Sequence, residues 1–190
     1  MGPLHVFPVE QDDLIEYTDD ADRPLLLAPR SAARRLGLTH RVAGVVLRDA
    51  RRRVCVRRRG AVDGPRRWDL SAIAHVRRGE AREDAARRAL ETETGIREAV
   101  LIELAAFVPA DAEESVRVTL FSARSARELP DPERTGEYMF LDADELEGLA
   151  GQMPELLTPA LLWAVRSGSL WTPGTSRRKA CPGNAPARRE

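Results

Sequence analysis

The pattern of this 190-residue sequence predicts an α+β domain, and three observations carry that expectation. Extended apolar runs recur along the chain, some alternating and some continuous, as strands of a partly or fully buried sheet require. Helical periodicity appears at 80–94 and again from 143 onward. The two patterns interleave without the regular repeat of a parallel βαβ sheet.

Residues 14–28, "LIEYTDDADRPLLLA", place apolar pieces on either side of the turn-forming "DDAD" and read as a hairpin. "RSAARRLGL" suits a short helix or turn. Strands follow at 41–48, "RVAGVVLR", and 53–58, "RVCVRR", which are expected to pair antiparallel across the polar "DARR". "GAVDGPRR" is a loop by its Gly and Pro content, and "WDLSAIAHV", 68–76, is one extended apolar run. A helix fits 80–94, with Ala81, Ala85, Ala86, Ala89 and Leu90 on adjoining faces and Gly95 as its stop. "AVLIELAAFVP", "SVRVTLFSAR" and "GEYMFLD" are further strands, and "ADELEGLA" and "PELLTPALLWAVRSG" are closing helices.

With 43% hydrophobic and 32% charged residues, the chain suits one well-buried domain, placed at 1–171. Residues 172–190, rich in turn formers and arginine, are expected to be a disordered tail. No membrane-length apolar segment is present, and "MGPLHVFPVEQDD" lacks the regions of a secretory signal, so a soluble cytoplasmic protein is expected. Cys55 and Cys181 make no metal or redox spacing. A formal net charge of zero gives no overall pull toward nucleic acid or anionic membrane. Lys179 is the only lysine, so arginine abundance alone says little about function.

Three helix positions at i, i+3 and i+4 share one face, where carboxylates could converge on magnesium and bridge it to a substrate diphosphate. Here those positions hold Ala89, Thr92 and Glu93. The run "AHVRRGEAREDAARRALETETGI", 74–96, resembles the Nudix box: Glu80, Arg88, Leu90, Glu93, Gly95 and Ile96 match its pattern, while Ala74, Ala89 and Thr92 depart from it. "YTDDADRPLLLAPRSAARRLGLTHRVAGVVL", "RRRG", "WDLSAIAHV" and "GEYMFLDADEL" extend the resemblance over roughly 14–165, toward the branch containing isopentenyl diphosphate isomerase and related hydrolases. The resemblance implies the Nudix fold, a mixed sheet sandwiched between helices. In active members it implies Mg or Mn held by the box carboxylates, of which Glu93 alone is retained. Glu80 and Arg88 match a pair that braces loop against helix in that family. For Glu80 a charge placed favourably at a helix N-terminus is the plainer reading.

His40 and His75 match isomerase contexts in which histidines bind metal, with Glu114 as a further acidic candidate, but Ile73 stands where the isomerase carries its cysteine proton donor. Hydrogen-bonded core histidines and a solvated charge in "DAEES" are the plainer readings. Arg57, Arg58 and Arg59 end a strand, and Arg59 is the candidate for a phosphate contact, since guanidinium groups bind two oxygens at once. Trp68 is a core residue or a pocket wall beside it. The sequence therefore leads to a Nudix-like protein that binds a phosphorylated small molecule or a partner with impaired catalysis, without nucleic acid or membrane. The alternative is a metal-dependent hydrolase joining Glu93 to later acidic residues such as Glu114 or Glu133. Monomer and homodimer are both compatible with the sequence.

Overall fold

The structure is a computed structural model describing residues 14–59, 66–110, 112, 114–124 and 137–171. The expected tail, Glu133 and most of the "GAVDGPRR" loop lie outside these residues. Among the described residues nine strands form one mixed sheet: β1 Leu14–Thr18, β2 Pro24–Pro29, β3 Thr39–Arg48, β4 Val54–Arg59, β5 Arg67–Asp69, β6 Ala72–His75, β7 Val100–Phe107, β8 Val116–Arg124 and β9 Tyr138–Leu141. The α-helices among these residues are α1 Ala33–Leu36, α2 Arg82–Thr94, α3 Ala143–Gln152 and α4 Pro159–Arg166, with 3-10 turns at Arg30–Ala32 and Pro154–Leu156.

β3 organises the sheet. One of its edges pairs in parallel with β8, from His40↔Val116 to Arg48↔Arg124. Its other edge is shared by three antiparallel strands in succession: β1 at Tyr17↔His40, β6 at Val42↔His75 through Val45↔Ala72, and β4 at Leu47↔Cys55. β2 extends β1, β7 extends β8, and β5 and β9 both pair with β4.

Alternation along β3 divides the core between two faces. Ala43, Val45 and Leu47 meet Ala85, Ala86, Ala89 and Leu90 of α2, whose small side chains let the helix lie close to the sheet. Val46, Val118 and Leu120 meet Leu146 and Ala150 of α3 and Leu161, Ala164 and Val165 of α4. Gly44 is fixed by this second layer, since a Cβ there would lie 2.5 Å from Leu70 Cδ1. The expected sandwich of a mixed sheet between helices is what forms.

Three boundaries differ from the sequence expectation. "WDLSAIAHV" divides into β5 and β6 because its halves pair with different strands, β4 and β3. At the division, buried Ser71 accepts a hydrogen bond from the Leu47 amide, 2.8 Å, and donates to the Cys55 carbonyl. The hydroxyl thus serves backbone groups where β3 and β4 part. The helix expected from residue 80 starts at Arg82, with Glu80 engaged in the preceding loop. The closing helix expected over 154–168 is interrupted before Pro159, a residue that disfavours helical backbone in the position before it. Thr158 is extended there and caps α4, accepting from the Leu161 amide at 3.4 Å.

Candidate functional site

α2 presents the box residues to the sheet. Its first turn carries Glu83 and Asp84, which favour the positive end of the helix dipole, and Gly95 ends it in the left-handed region at φ 70°. Ahead of the helix, the Glu80 carboxylate accepts from the Arg77 amide at 2.9 Å and from Arg88 Nε and Nη2 at 2.8 Å each. Arg88 Nη2 also donates to the His75 carbonyl at 2.8 Å. Partial burial pushes the Glu80 carboxyl up, but the Arg88 and Arg77 hydrogen bonds outweigh this and hold it below its ordinary value. Loop, helix and β6 are therefore tied through one guanidinium, and Glu80 does more than complement a dipole.

The three converging helix positions are now distinguishable. Ala89 is buried in the helix–sheet core, and Thr92 is exposed. Glu93 is the carboxylate of the three, and it faces two arginines of β4: Arg57 Nη1 pairs with its Oε2, and Arg59 Nη2 lies 3.0 Å from its Oε1. Arg57 and Arg59 share a face of β4 because they are two residues apart, and that is the face of Cys55, packed under α2. Arg59 Nε lies 3.0 Å from buried Asp69, whose Oδ1 in turn accepts from Thr158 Oγ1 at 2.7 Å. Burial lowers the Arg59 pKa, opposed by the Asp69 charge. Tyr138 donates its hydroxyl to the Glu93 carbonyl and sets its ring 5.5 Å from the Arg57 guanidinium carbon. The negative end of the α2 dipole favours two cations here.

A magnesium cluster does not fit this arrangement. Ala89 offers no ligand atom, Thr92 points a neutral hydroxyl position to solvent, and the Glu93 oxygens are taken by guanidinium groups. Among the described residues, no group of three His, Cys, Asp or Glu side chains is arranged to hold a metal ion.

The structure does bring His40, His75 and Glu114 together, at the far end of β3 from the Leu47–Arg48 contact with β4. The imidazoles lie 5.0 Å apart between centroids, Tyr17 sets its ring edge-on 5.7 Å from His40, and Glu114 Oε2 lies 3.9 Å from His40 Nε2. His40 is fully buried, and among the described residues neither of its ring nitrogens, nor His75 Nδ1, has a hydrogen-bond partner. Burial pushes both imidazoles down, His75 to about 3, with Arg30, His40 and Arg88 adding to the effect on His75. Two imidazoles and a carboxylate are a donor set suited to a divalent transition metal, although they do not converge on one point.

Other candidates separate. Glu114 belongs to the histidine end and Glu93 to the β4 end, so the structure does not join them in one cluster. Trp68 pairs with Arg58 in register and packs against the α3–α4 layer, whereas Arg59 faces α2. The 5.8 Å cation–π contact of Trp68 is accordingly with Arg58. Sequence reasoning missed Arg57, Asp69 and Tyr138 as partners of the box. The i, i+2 spacing of Arg57 and Arg59 was the available signal for the first.

A mixed sheet between helices, with a loop and helix locked by a glutamate–arginine brace, is the arrangement that the resemblance of residues 74–96 implied. The chain belongs to the Nudix family: the NUDIX domain model matches residues 38–163. It is 38% identical over 115 residues to the uncharacterized Nudix hydrolase PA4841 of Pseudomonas aeruginosa, covering 60% of this chain and 68% of that protein. It is 31% identical over 150 residues to an isopentenyl-diphosphate Delta-isomerase of Cereibacter sphaeroides, covering 74% and 84%. The crystal structure of DR0079 from Deinococcus radiodurans shares the fold with a TM-score of 0.64 at 21% identity, over 81% of this chain and 98% of that one. No helix among the described residues is long and apolar enough to cross a membrane.

Proposed function

We propose that this chain is a Nudix-fold binder of a phosphorylated small molecule, with a degenerate box that does not assemble the usual magnesium cluster. The observation that carries the reading is the enclosure of Glu93 by Arg57 and Arg59. Two guanidinium groups occupy the carboxylate that a cation would use, and the same groups supply the forked donors that phosphate oxygens prefer. Phosphate and Glu93 then compete for one pair of arginines, and Asp69 and Tyr138 keep that pair in place. Ligand capture by Arg59, rather than metal-assisted hydrolysis, is the chemistry such a set performs. Glu80 and Arg88 support it by fixing the loop and α2, while Trp68, packed on the opposite face of the sheet, takes no part in it.

Calorimetric titration of pyrophosphate into the full chain, with EDTA or with magnesium or manganese, tests the reading. Binding in EDTA is expected, and Arg59→Gln is expected to weaken it roughly ten- to a hundredfold, the loss of one charge-assisted bond. Metal-dependent turnover of an organic diphosphate that Glu93→Gln abolishes overturns the proposal.

A further inference from the structure

Arg59 is held by Asp69, and a residue at the entry to α4 orients that carboxylate. Asp69 is 5% exposed, so its charge has to be met inside the fold. Its Oδ1 accepts from the Leu70 amide at 2.8 Å and from the Thr158 hydroxyl at 2.7 Å. Its Oδ2 lies 3.0 Å from Arg59 Nε, yet Nε is not aligned for a hydrogen bond with it or with any other described residue. Attraction between charges is weakly directional, whereas the two bonds to Oδ1 fix the plane of the carboxylate. Leu70 and Thr158 therefore aim Asp69, and Arg59 follows it. Thr158 is in turn placed by the sheet. Leu157 forms a parallel bridge with Trp68, and the Thr158 amide donates to the Trp68 carbonyl at 2.8 Å, so the segment entering α4 runs along the edge of β5 away from β4. The Thr158 hydroxyl also accepts from the Leu161 amide at 3.4 Å. A hydroxyl both donates and accepts, so threonine caps α4 and serves Asp69 at once; an aspartate would cap the helix but could not donate to a second carboxylate.

We propose, on the reading of Arg59 as a phosphate ligand, that Thr158 is a positioning residue for that site: its hydroxyl aims Asp69, and Asp69 sets the Arg59 guanidinium. Asp69 faces Nε, while Nη2 lies 3.0 Å from Glu93 Oε1, where a phosphate oxygen competes. With the hydroxyl lost, Oδ1 keeps the Leu70 bond alone among the described residues, the carboxylate turns more freely, and Arg59 presents its Nη end for less of the time. The docking of the α4 entry on β5 is thereby coupled to phosphate affinity.

Arg59 Nε–H spectra of the ligand-free full chain, and calorimetric titration with pyrophosphate in EDTA, test this. Thr158→Val is expected to move the Arg59 signal and to raise the pyrophosphate Kd roughly two- to tenfold, the net worth of one hydrogen bond. Thr158→Ser, which keeps the hydroxyl, is expected to restore both. In an Arg59→Gln background Thr158→Val is expected to leave the Kd where it is, because its effect passes through Arg59. Equal weakening in both backgrounds marks a merely structural role and overturns the proposal, as does an unmoved Arg59 signal or an unchanged Kd in folded Thr158→Val. Should Thr158→Val fail to fold, Asp69→Asn is expected to move the same signal, and an unmoved signal there overturns the proposal. A wild type that does not bind pyrophosphate overturns the phosphate reading of Arg59 instead, and the signal in the ligand-free chain still decides whether Thr158 aims it.

Discussion

Glu93→Gln separates a phosphate-binding arginine pair from a metal site, because the two predict opposite signs. In the wild type, Glu93 is 17% exposed and holds Arg57 and Arg59, which are 23% and 31% exposed. Glutamine keeps the shape and the Tyr138 bond, which goes to the backbone carbonyl, but removes the negative charge between two cations. Charge-assisted hydrogen bonds contribute about 1.5–3 kcal/mol, and partial exposure places this pair toward the lower end, at about 2 kcal/mol. For a chain of this size about 2 kcal/mol corresponds to a fall in melting temperature of about 4–8 °C. Pyrophosphate no longer competes with a carboxylate in the variant, so its affinity is expected to rise about tenfold, or about 1.4 kcal/mol. Calorimetric titration and thermal unfolding, each with EDTA and with magnesium, read both effects. A variant that binds pyrophosphate more weakly than the wild type, or only with metal, refutes the reasoning.

Three further outcomes are expected. Gly44→Ala places a methyl 2.5 Å from Leu70 Cδ1 and is expected to cost about 1–3 kcal/mol by overpacking, measured by urea unfolding. Thr158→Ala removes the α4 cap and the hydroxyl that reaches Asp69, and should cost about 1–2 kcal/mol in the same assay. The third concerns pH: His75 is held neutral in the fold, with its pKa pushed down to about 3, whereas an unfolded histidine protonates near 6.5. Between those values the unfolded chain binds the extra proton, so metal-free stability falls as pH drops below about 6.5, by up to about 1.4 kcal/mol per pH unit. Thermal unfolding between pH 7.5 and 5 checks it, and His75→Gln should flatten that dependence by one proton's share.

How much of this was legible follows the range of each interaction. α2 was readable because Ala85, Ala86, Ala89 and Leu90 recur at helical spacing and Gly95 closes the helix. Family resemblance singled out Glu80 and Arg88, and the structure supplies the bonds between them. The division of "WDLSAIAHV" was hidden, because Trp68 and Ala74 look alike as strand residues until their different partners are known. The enclosure of Glu93 was hidden for a related reason: Arg57, Arg59, Asp69 and Tyr138 come from three strands, and only the sheet places them around one helix end. Trp68 and Arg59, near neighbours in sequence reasoning, part because alternate strand positions face opposite layers.

The shared edge of β3 also sets an order of assembly as the chain is made. β1, β3, β4, β6 and α2 are all available before β8 is synthesised, so His40, His75, Arg57 and Glu93 can come into position first. Glu114 and the parallel partner β8 arrive later, at the cost of closing a long loop. An emerging chain therefore exposes the paired imidazoles and one whole edge of its central strand for as long as the second half of the sheet is unmade, and a chaperone that shields strand edges would have that interval in which to act.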